Sequence, residues 1–363
     1  MKIKAVDLTN FSVFQNAELH FCPGLNILIG ANATGKTHVL KLLYAACSVM
    51  PKRNFGDVKL LNVLHTKLRN VFKADRDELW HVIRRGNNRA KISIEFDSDR
   101  IGFDIINPAM KRFRSGLSMT ETPHFKDEAR ALFLPSREVL SMFRGFVPAY
   151  DEREQAVDET YYDLCKALMH SELKARDPER VRLVDLLQKH LGGAVIFTGI
   201  DFYVRPHKPA QARQALRESN GERDMEIQLV SEGLRKLAML AQLVKNGSIR
   251  RNGILFWDEP ESSLNPKLIA LMAGILRDIA EMGVQIFIAT HDYLLTREFS
   301  LAVEYKTKPV VDTRFFSFGR QGDSPVNVES GRVLAELDHN PLLDEFEAHY
   351  GREQALFYNG GKG

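Results

Sequence analysis

The stretch Gly30 to Thr37 reads GANATGKT, and this octapeptide decides the fold of the chain. It matches the pattern G-x-x-x-x-G-K-[ST], which is typical of a loop that cradles phosphate groups. The apolar run Leu25 to Ile29 before it indicates a buried strand, and the apolar residues of segment 37–50 recur at helical spacing. A strand, a glycine-rich loop and a helix are the structural context that this pattern requires.

The residue types of the loop fit nucleotide chemistry. Its glycines allow backbone conformations and close approaches that a side chain would block. Loop N–H groups and the N-terminus of the following helix form a positive concavity for phosphate. We expect the lysine to reach the β- and γ-phosphates and the terminal threonine hydroxyl to bind Mg²⁺. The residues predicted to bind ATP are Gly30, Ala31, Asn32, Ala33, Thr34, Gly35, Lys36 and Thr37.

A second signature lies far downstream, where residues 254–266 read ILFWDEPESSLNP. Here an apolar run ends at Asp258, and an acid at the carboxyl end of a buried strand lies at the ligand-binding edge of a sheet. We expect Asp258 to bind Mg²⁺ and Glu259 to act as the base, or the positioner, for an attacking water. A solvated turn is the alternative for an isolated Asp-Glu-Pro. The apolar strand before it and the phosphate loop together favour an ATPase.

Composition sets outer bounds on the function. The chain has 363 residues with 44% hydrophobic content and a net charge of only +3, so bulk charge does not mark it as a nucleic-acid binder. Three scattered cysteines without metal spacing fit a reduced, cytoplasmic location. The start lacks an apolar signal core, and no run approaches the roughly 18 apolar residues of a membrane span. We therefore expect no membrane association.

One stretch is far more basic than the rest, because residues 51–91 carry eleven Lys/Arg against four Asp/Glu. It could track the phosphate backbone of DNA, with the interleaved aromatics Phe55, Phe72 and Trp80 against the bases. The alternative, which we favour, is a solvated helix face whose aromatic rings belong to the core. The residues alone leave both interpretations open.

The order of predicted elements indicates an α/β sheet, because strands alternate with helices. We expect strands 2–6, 17–21 and 25–29 to open a single sheet, with the phosphate loop and its helix after them. The remaining expectations are a helical segment at 56–85, a hairpin at 90–96 and 101–106, a loop at 107–126, a strand at 131–134, helices within 150–191, a strand pair within 194–204, a strand at 226–230 running into a helix, a helix at 266–282, and strands at 284–289, 315–318 and 326–328.

This order of motifs resembles the ATPase heads of the ABC/SMC superfamily. In those proteins two heads sandwich ATP, and each head adds a signature motif to the nucleotide held by the other. The segment VSEGLRKLAML resembles that signature, which implies that Ser231 and Gly233 contact the opposite γ-phosphate. DEPESSLNP resembles the Walker B strand end and the D-loop, with Ser263 and Leu264 in the latter. His291, after VQIFIAT, resembles the switch histidine that senses the γ-phosphate.

Within the superfamily, SEG and PESSLNP resemble the OLD-like ATPases of bacterial anti-phage systems, whose members often pair with, or are fused to, a nuclease. The chain departs from the wider pattern at several points. PSREVL follows ALFL where a glutamine would be expected, Asn265 replaces the usual histidine of close relatives, and the signature is not LSGGQ. The chain has neither a long heptad stretch nor the acidic cluster of a Toprim nuclease. The resemblance therefore implies a separately encoded nuclease or toxin.

The expected architecture is a single α/β head of the ABC/SMC type, residues 1–363, with an N-terminal β-subdomain and an inserted helical subdomain. We divide it into an N-terminal lobe with the phosphate loop at 1–135, a helical insertion at 136–192, a signature and Walker B lobe at 193–340, and a tail at 341–363.

The leading hypothesis is an ATP-hydrolysing switch that forms a homodimer or a higher homo-oligomer through an ATP sandwich. Glu259, His291 and Lys36 would be catalytic, ATP and Mg²⁺ the cofactors, and a separately encoded effector in phage defence the partner. The first alternative is a RecF-type DNA-repair ATPase that binds DNA directly. The second, a transporter ATPase subunit, is disfavoured because LSGGQ and the glutamine are missing.

Overall fold

The computed structural model describes residues 1–49, 57–74, 78–109, 116–123, 130–152, 157–173, 177–207, 224–320, 322 and 324–360. Its strands are β1 Ile3–Phe11, β2 Phe14–His20, β3 Leu25–Gly30, β4 Arg89–Phe96, β5 Arg100–Ile106, β6 Leu117–Glu121, β7 Arg130–Leu134, β8 Gly193–Phe197, β9 Phe202–Pro206, β10 Met225–Glu226, β11 Gly253–Asp258, β12 Gln285–Thr290, β13 Thr313–Gly319 and β14 Asn327–Gly331. Its helices are α1 Lys36–Val49, α2 Asp57–Phe72, α3 Phe146–Glu152, α4 Glu159–Leu168, α5 Pro178–Leu191, α6 Glu232–Lys245, α7 Pro266–Glu281, α8 Tyr293–Glu304 and α9 Pro341–Gly360.

A six-stranded sheet in the order β14-β13-β3-β12-β11-β7 forms the centre of the described structure. Neighbouring strands from β13 to β7 are parallel, and only β14 runs antiparallel. The parallel strands are largely apolar because both faces of the sheet are covered. In β3, for example, Ile27 packs into the core on one face and Leu28 into the core on the other. The alternating α/β prediction is confirmed.

Each face of this sheet has its own hydrophobic core. One core holds side chains of α4, α5, α6 and α7 together with Trp257 of β11. The other holds α1, α2 and a second, antiparallel sheet, together with Phe256 of the same strand. Because successive residues of a strand point to opposite faces, β11 anchors both cores just before it reaches Asp258.

The second sheet has the order β2-β1-β4-β5-β6 and is antiparallel throughout. The expectation that β1 and β2 share a sheet with β3 is therefore wrong. β1 pairs with β2 and β4, whereas β3 pairs with β12 and β13. Apart from the β1–β2 hairpin, these pairing partners lie far apart in sequence, so strand periodicity alone could not separate the two sheets.

Four other predicted segments differ from the structure in detail. The segment at 56–85 is not one helix, since α2 ends at Phe72 and Lys73 adopts a left-handed φ of 46°. The predicted loop at 107–126 contains β6, which tertiary pairing with β5 draws into the sheet. The predicted strand at 226–230 is mostly a 3-10 turn, because the chain turns there to begin α6. The predicted tail contains helix α9, and the Asn340 side chain accepts from Leu342 N at its start.

The helices between 146 and 191 are joined to the phosphate-loop helix by polar contacts. Lys41 of α1 donates to Asp158 at 2.7 Å, and Tyr44 of α1 donates to Asp163 at 2.6 Å. Lys67 of α2 also pairs with Asp163. Asp158 additionally caps the N-terminus of α4. These partly buried contacts connect α4 to the helix that begins at the phosphate loop.

Within the described residues, no helix has both the length and the apolar composition needed to cross a membrane.

Candidate nucleotide-binding site

The predicted site residues collect at one edge of the central sheet, because parallel strands present their carboxyl ends together. β3 leads into the phosphate loop, β11 ends at Asp258, and β12 ends at Thr290, just before His291. β11 lies beside β12, and β12 lies beside β3. Residues that are more than 200 positions apart in sequence thus meet at this edge.

The loop glycines occupy conformations that other residues rarely adopt. Gly30 has φ 153° and Gly35 has φ 91°. A Cβ atom at Gly30 would stand 2.7 Å from the carbonyl oxygen of Phe318, and one at Gly35 would stand 2.8 Å from the ring of Phe14. Both positions therefore require glycine, for backbone conformation as well as for space.

The loop residues between the two glycines form a turn that is exposed at its first three positions. Thr34 Oγ1 donates to the carbonyl oxygen of Ala31 at 2.9 Å, and Ala33 has a left-handed φ of 63°. Ala31, Asn32 and Ala33 are exposed.

Lys36 points back over the loop instead of into solvent. Its buried Nζ donates to the carbonyl oxygens of Gly30 at 2.7 Å and Ala31 at 2.8 Å. Burial lowers the pKa of this ammonium, and the nearby carboxylates of Asp258 and Glu259 oppose that shift. A cation held by two carbonyl oxygens at the loop can exchange them for phosphate oxygens.

Thr37 and Asp258 meet across 221 positions of sequence. The Thr37 hydroxyl lies 2.9 Å from Oδ1 and 3.1 Å from Oδ2 of Asp258. Burial raises the pKa of Asp258 to about 6, although the bond from Thr37 acts in the opposite direction. A hydroxyl and a desolvated carboxylate at a strand end are the hard oxygen ligands that Mg²⁺ prefers. The donor set therefore fits this cation.

Glu259 and His291 also lie next to each other. Their Oε1 and Nδ1 atoms are 3.3 Å apart, and the two side chains are partly exposed. Glu259 has a left-handed φ of 49°, and its N–H donates to the carbonyl oxygen of Ala289 in β12. This backbone bond fixes the point where the chain leaves β11.

A cavity of about 490 Å³ lies against the phosphate loop and the Asp-Glu pair, and its lining does not include His291. Its lining joins the phosphate loop to the Asp-Glu pair and to the β1–β2 turn, through Ser12, Val13, Asn32, Ala33, Thr34, Gly35, Lys36, Thr37, His38, Asp258 and Glu259. Of the described residues, Ser231 and Gly233 are not part of this lining. The structure thus brings the loop and the Asp-Glu pair together but leaves the signature residues outside.

The signature residues form the start of α6. Ser231 is exposed and occupies the N-cap position, but its side chain makes no capping hydrogen bond. Gly233 is buried, and a Cβ atom there would stand 3.1 Å from the carbonyl oxygen of Ser263 and from Leu264. The signature and the D-loop therefore pack against each other within one chain.

The departures from the superfamily pattern have structural partners. Glu138, in the segment that replaces the glutamine loop, is buried and accepts from Arg235 Nε at 2.6 Å. Asn265 caps α7, because its Oδ1 accepts from Leu268 N at 3.0 Å. Each of these two residues that depart from the superfamily pattern thus accepts a hydrogen bond within the chain.

Sequence reasoning missed two buried charged residues beside the site, Lys236 and Glu261. Lys236 stands three residues after Gly233 and four before Leu240, so a lysine on the apolar face of a helix was the available signal. Burial lowers the pKa of Lys236 to about 8, against the opposing effect of Glu261. For Glu261 the sequence offered no signal beyond its place after Glu259 and Pro260.

Some basic residues of the stretch 51–91 form ion pairs within the chain. Lys67 pairs with Asp163, and Arg89 pairs with the buried Asp104. Arg89 is nevertheless exposed, with 48% of its side chain accessible. Lys52, Arg53 and Phe55 lie outside the described residues.

The described remainder of the stretch is mixed. Phe72 and Trp80 pack against the core, as the favoured interpretation expects. Arg84 is half-buried and Arg85 is exposed. Within the described residues these two arginines make no ion pair, so they are available to an external anion.

Comparison with solved structures supports the fold directly. A crystal structure of the SmcHead bound to the C-winged helix domain of ScpA matches 91% of this chain and 98% of that chain, with a TM-score of 0.55 at 12% identity. This likeness shows that the chain has an α/β fold like that of an SMC head.

A family profile then assigns the chain more closely. Residues 25–297 match the family described as "AAA domain, putative AbiEii toxin, Type IV TA system". The match covers about three quarters of the sequence, and the chain belongs to this family. The more specific likeness to OLD-like ATPases stays a prediction.

Curated relatives match over a short region. The DNA replication and repair protein RecF of Clostridium botulinum (strain Eklund 17B / Type B) is 40% identical over 62 residues, which is 17% of each chain. RecF of Lachnoclostridium phytofermentans is 28% identical over 81 residues, or 22% of each chain. The chain thus covers about a fifth of the length of these relatives.

Proposed function

We propose that the protein binds and hydrolyses ATP with Mg²⁺ and acts as a dimerising switch for a separately encoded effector. The contact between Thr37 and Asp258 carries this proposal. It joins the end of the phosphate loop to a desolvated carboxylate on the neighbouring strand end, beside Glu259. Such a carboxylate is stable in its charged form only when a cation or hydrogen-bond donor compensates it.

Each group has a distinct task in this proposal. The loop N–H groups and Lys36 hold the phosphates, and Thr37 with Asp258 holds the metal. Bound Mg²⁺ supplies neutralisation of charge on the phosphate oxygens. Glu259 orients a water and accepts its proton, while His291 is placed beside it to contact the phosphate.

The signature supports the dimeric part of the proposal. Ser231 and Gly233 lie outside the cavity of their own chain, and the Ser231 hydroxyl is exposed without a capping bond. The start of α6 can therefore face an anion held by a second copy. Its partial positive charge favours a phosphate at that position.

The proposal also includes a separately encoded effector protein. The family description names a toxin and a toxin–antitoxin system, and the structural relative is bound to a domain of ScpA. We infer that the ATP-bound assembly offers a surface to a nuclease or toxin encoded separately, in phage defence. Copurification with the product of a neighbouring gene would identify this effector.

Complementation between two inactive variants tests the dimeric switch. Lys36→Ala removes the phosphate-binding ammonium but keeps the signature, whereas Ser231→Arg blocks the signature but keeps the loop. In an ATP sandwich, each variant alone should hydrolyse ATP poorly. A mixture should recover activity, because one of the two sites then combines an intact loop with an intact signature.

The matched control is Ser324→Arg, which alters an exposed serine outside the nucleotide motifs and should keep wild-type activity. Equal activity of Ser231→Arg and wild type would eliminate the sandwich. Absence of hydrolysis by the wild-type protein, alone and with DNA or its effector, would eliminate the ATPase itself.

A second candidate function is direct DNA binding of the kind carried out by a repair ATPase. The local identity to RecF of 40% over 62 residues favours it. The exposed Arg85 and the half-buried Arg84 are two available contacts in the basic stretch.

A further inference from the structure

Lys236 is a fully buried charged side chain next to the site, with 0% of its surface exposed. Burying an ammonium is costly unless hydrogen-bond acceptors surround it. Its Nζ lies 2.6 Å from Ser262 Oγ and 2.7 Å from the Ser262 carbonyl oxygen. The carbonyl oxygens of Pro260 and Glu259 follow at 3.3 Å and 3.4 Å. All four acceptors belong to one turn, residues 259–262.

This turn is the connection between β11 and the D-loop, and its backbone is unusual. Glu259 at its start and Ser263 after its end both have left-handed φ values, 49° and 63°. Non-glycine residues hold such conformations only when their surroundings impose them. Inside the turn, Ser262 N donates to Glu259 O at 3.1 Å. Lys236 supplies the larger set of bonds to the same turn.

The opposite side of the turn is held by the end of β12. The buried Glu261 accepts from Thr290 Oγ1 at 2.6 Å and from His291 N at 3.3 Å. Ser262 Oγ also donates to the carbonyl oxygen of Ser136, in the segment after β7, at 2.8 Å. The turn is thus held between helix α6, the end of β12 with His291, and the segment after β7 that replaces the glutamine loop.

The neighbour of Lys236 makes a parallel connection. Arg235 donates through Nε to Glu138 Oε1 and through an NH group to the carbonyl oxygen of Val230, each at 2.6 Å. Two consecutive side chains of α6 therefore reach two different segments of the site edge. A displacement at the start of α6 would move both of them.

We propose that Lys236 is a positioning residue that sets the orientation of Glu259 and transmits the position of the signature helix to it. The inference rests on the proposed ATP hydrolysis with Glu259 as the base. Among the described residues, Lys236 bonds only to backbone carbonyls and Ser262, so it acts through the turn and not on the nucleotide. When a second subunit's nucleotide engages Ser231, the same helix shifts Glu259 of its own chain. The two nucleotide sites of a dimer are coupled in this way.

The test compares Lys236→Met with Lys245→Met, which changes a lysine near the other end of the same helix. Lys236→Met keeps a chain of similar length but removes the donors that hold the turn. We expect kcat to fall by about 10²-fold, since small misplacements of catalytic groups have effects of that order. The KM for ATP should stay within about twofold of wild type, because the phosphate loop is untouched. Lys245→Met should change neither constant.

A second variant distinguishes a loss of positioning from a folding defect. Ser262→Ala removes the shortest bond of Lys236, together with the bond from Ser262 Oγ to the carbonyl oxygen of Ser136. It should lower kcat by a smaller factor, and the double variant should be less impaired than the product of the single effects, because the two changes share the bond between Lys236 and Ser262. Wild-type kcat in folded Lys236→Met or Ser262→Ala would overturn the positioning role, as would an effect seen only in KM.

Hydrogen exchange in the ligand-free protein gives a readout that does not depend on hydrolysis. The amides of Ser262 and Leu264 donate within the turn and should be protected in the wild type. In Lys236→Met that protection should fall, whereas amides of β11 stay protected. Unchanged protection would contradict the proposal even if the wild type failed to hydrolyse ATP. A wild type without ATPase activity but with this fall in protection would contradict only the proposed function.

Discussion

Two faces of this molecule differ in how complete they are within one chain. The phosphate-loop face comprises the loop Gly30 to Thr37 with Asp258 and Glu259, and the signature face comprises Ser231 and Gly233 at the start of α6. On the first, Lys36 is bonded to loop carbonyls and Thr37 to Asp258, so its groups are already in place. On the second, Ser231 is exposed at the N-cap of α6, where its side chain makes no capping hydrogen bond. We therefore propose that a single chain holds a nucleotide by the first face, whereas the second needs a ligand from outside. In our proposal, the phosphate-loop face binds and the signature face regulates.

The largest expected effect tests the phosphate-loop face. Glu259→Gln keeps the size and polarity of the side chain but removes the proton acceptor, so turnover should fall by about 10²- to 10⁴-fold. ATP binding should persist, because the phosphate loop itself is unchanged. Steady-state hydrolysis and equilibrium nucleotide binding measure the two effects separately. Glu281→Gln, an exposed glutamate at the end of α7, is the control.

The same variant, Glu259→Gln, also tests whether ATP brings the signature face of a second copy to the phosphate-loop face. If slow turnover preserves bound ATP, Glu259→Gln should accumulate as a larger assembly with ATP than without it. Analytical ultracentrifugation would show this difference. Near-normal hydrolysis would show that Glu259 is not the base, and a mass that ignores ATP would remove the distinction between the two faces.

A smaller effect concerns stability, because the phosphate-loop face holds a desolvated carboxylate. The native pKa of Asp258 is about 6, above its unfolded value of 3.8, so the native chain binds this proton more tightly. The group therefore lowers the free energy of unfolding as pH rises from about 4 to 6, and the cost persists at pH 7. Asp258→Asn keeps an acceptor for Thr37 and should raise that free energy by up to about 3 kcal/mol at pH 7.

Chemical denaturation without nucleotide or Mg²⁺ measures this gain. It should shrink as the pH falls from about 6 towards 4, because the native carboxyl is then protonated. Asp185→Asn, at an exposed position of α5, should show no comparable change. A decrease in stability at pH 7 in Asp258→Asn would mean that the carboxylate is better compensated in the chain than its burial suggests.

The smallest expected effect concerns DNA binding by the basic stretch 51–91, a surface separate from the two faces compared above. Arg84→Ala with Arg85→Ala should weaken duplex binding, and the slope of log affinity against log salt should fall by about one unit for each phosphate that the protein no longer neutralises. Arg89 is left intact, because its removal would leave Asp104 buried without its partner. Basal ATPase activity should be unchanged. No salt-dependent binding by the wild type would leave the RecF-type function without its main physical support.

The sequence by itself determined the chemistry of the first face. GANATGKT forms a phosphate loop because two of its positions require glycine, and Asp258 follows an apolar run that indicates a buried strand. Local residue type and spacing carry such information. The alternation of strands with helices also predicted the α/β sheet.

Only the tertiary structure decided which distant groups meet. The separation of β1 and β2 from the central sheet depends on pairing across long sequence distances, and the contact of Arg89 with Asp104 depends on the register of β4 against β5. The role proposed for Lys236 was also hidden, because its acceptors are mostly backbone carbonyls of a turn over twenty residues away. A carbonyl group has no signature in sequence, and only packing shows where it points.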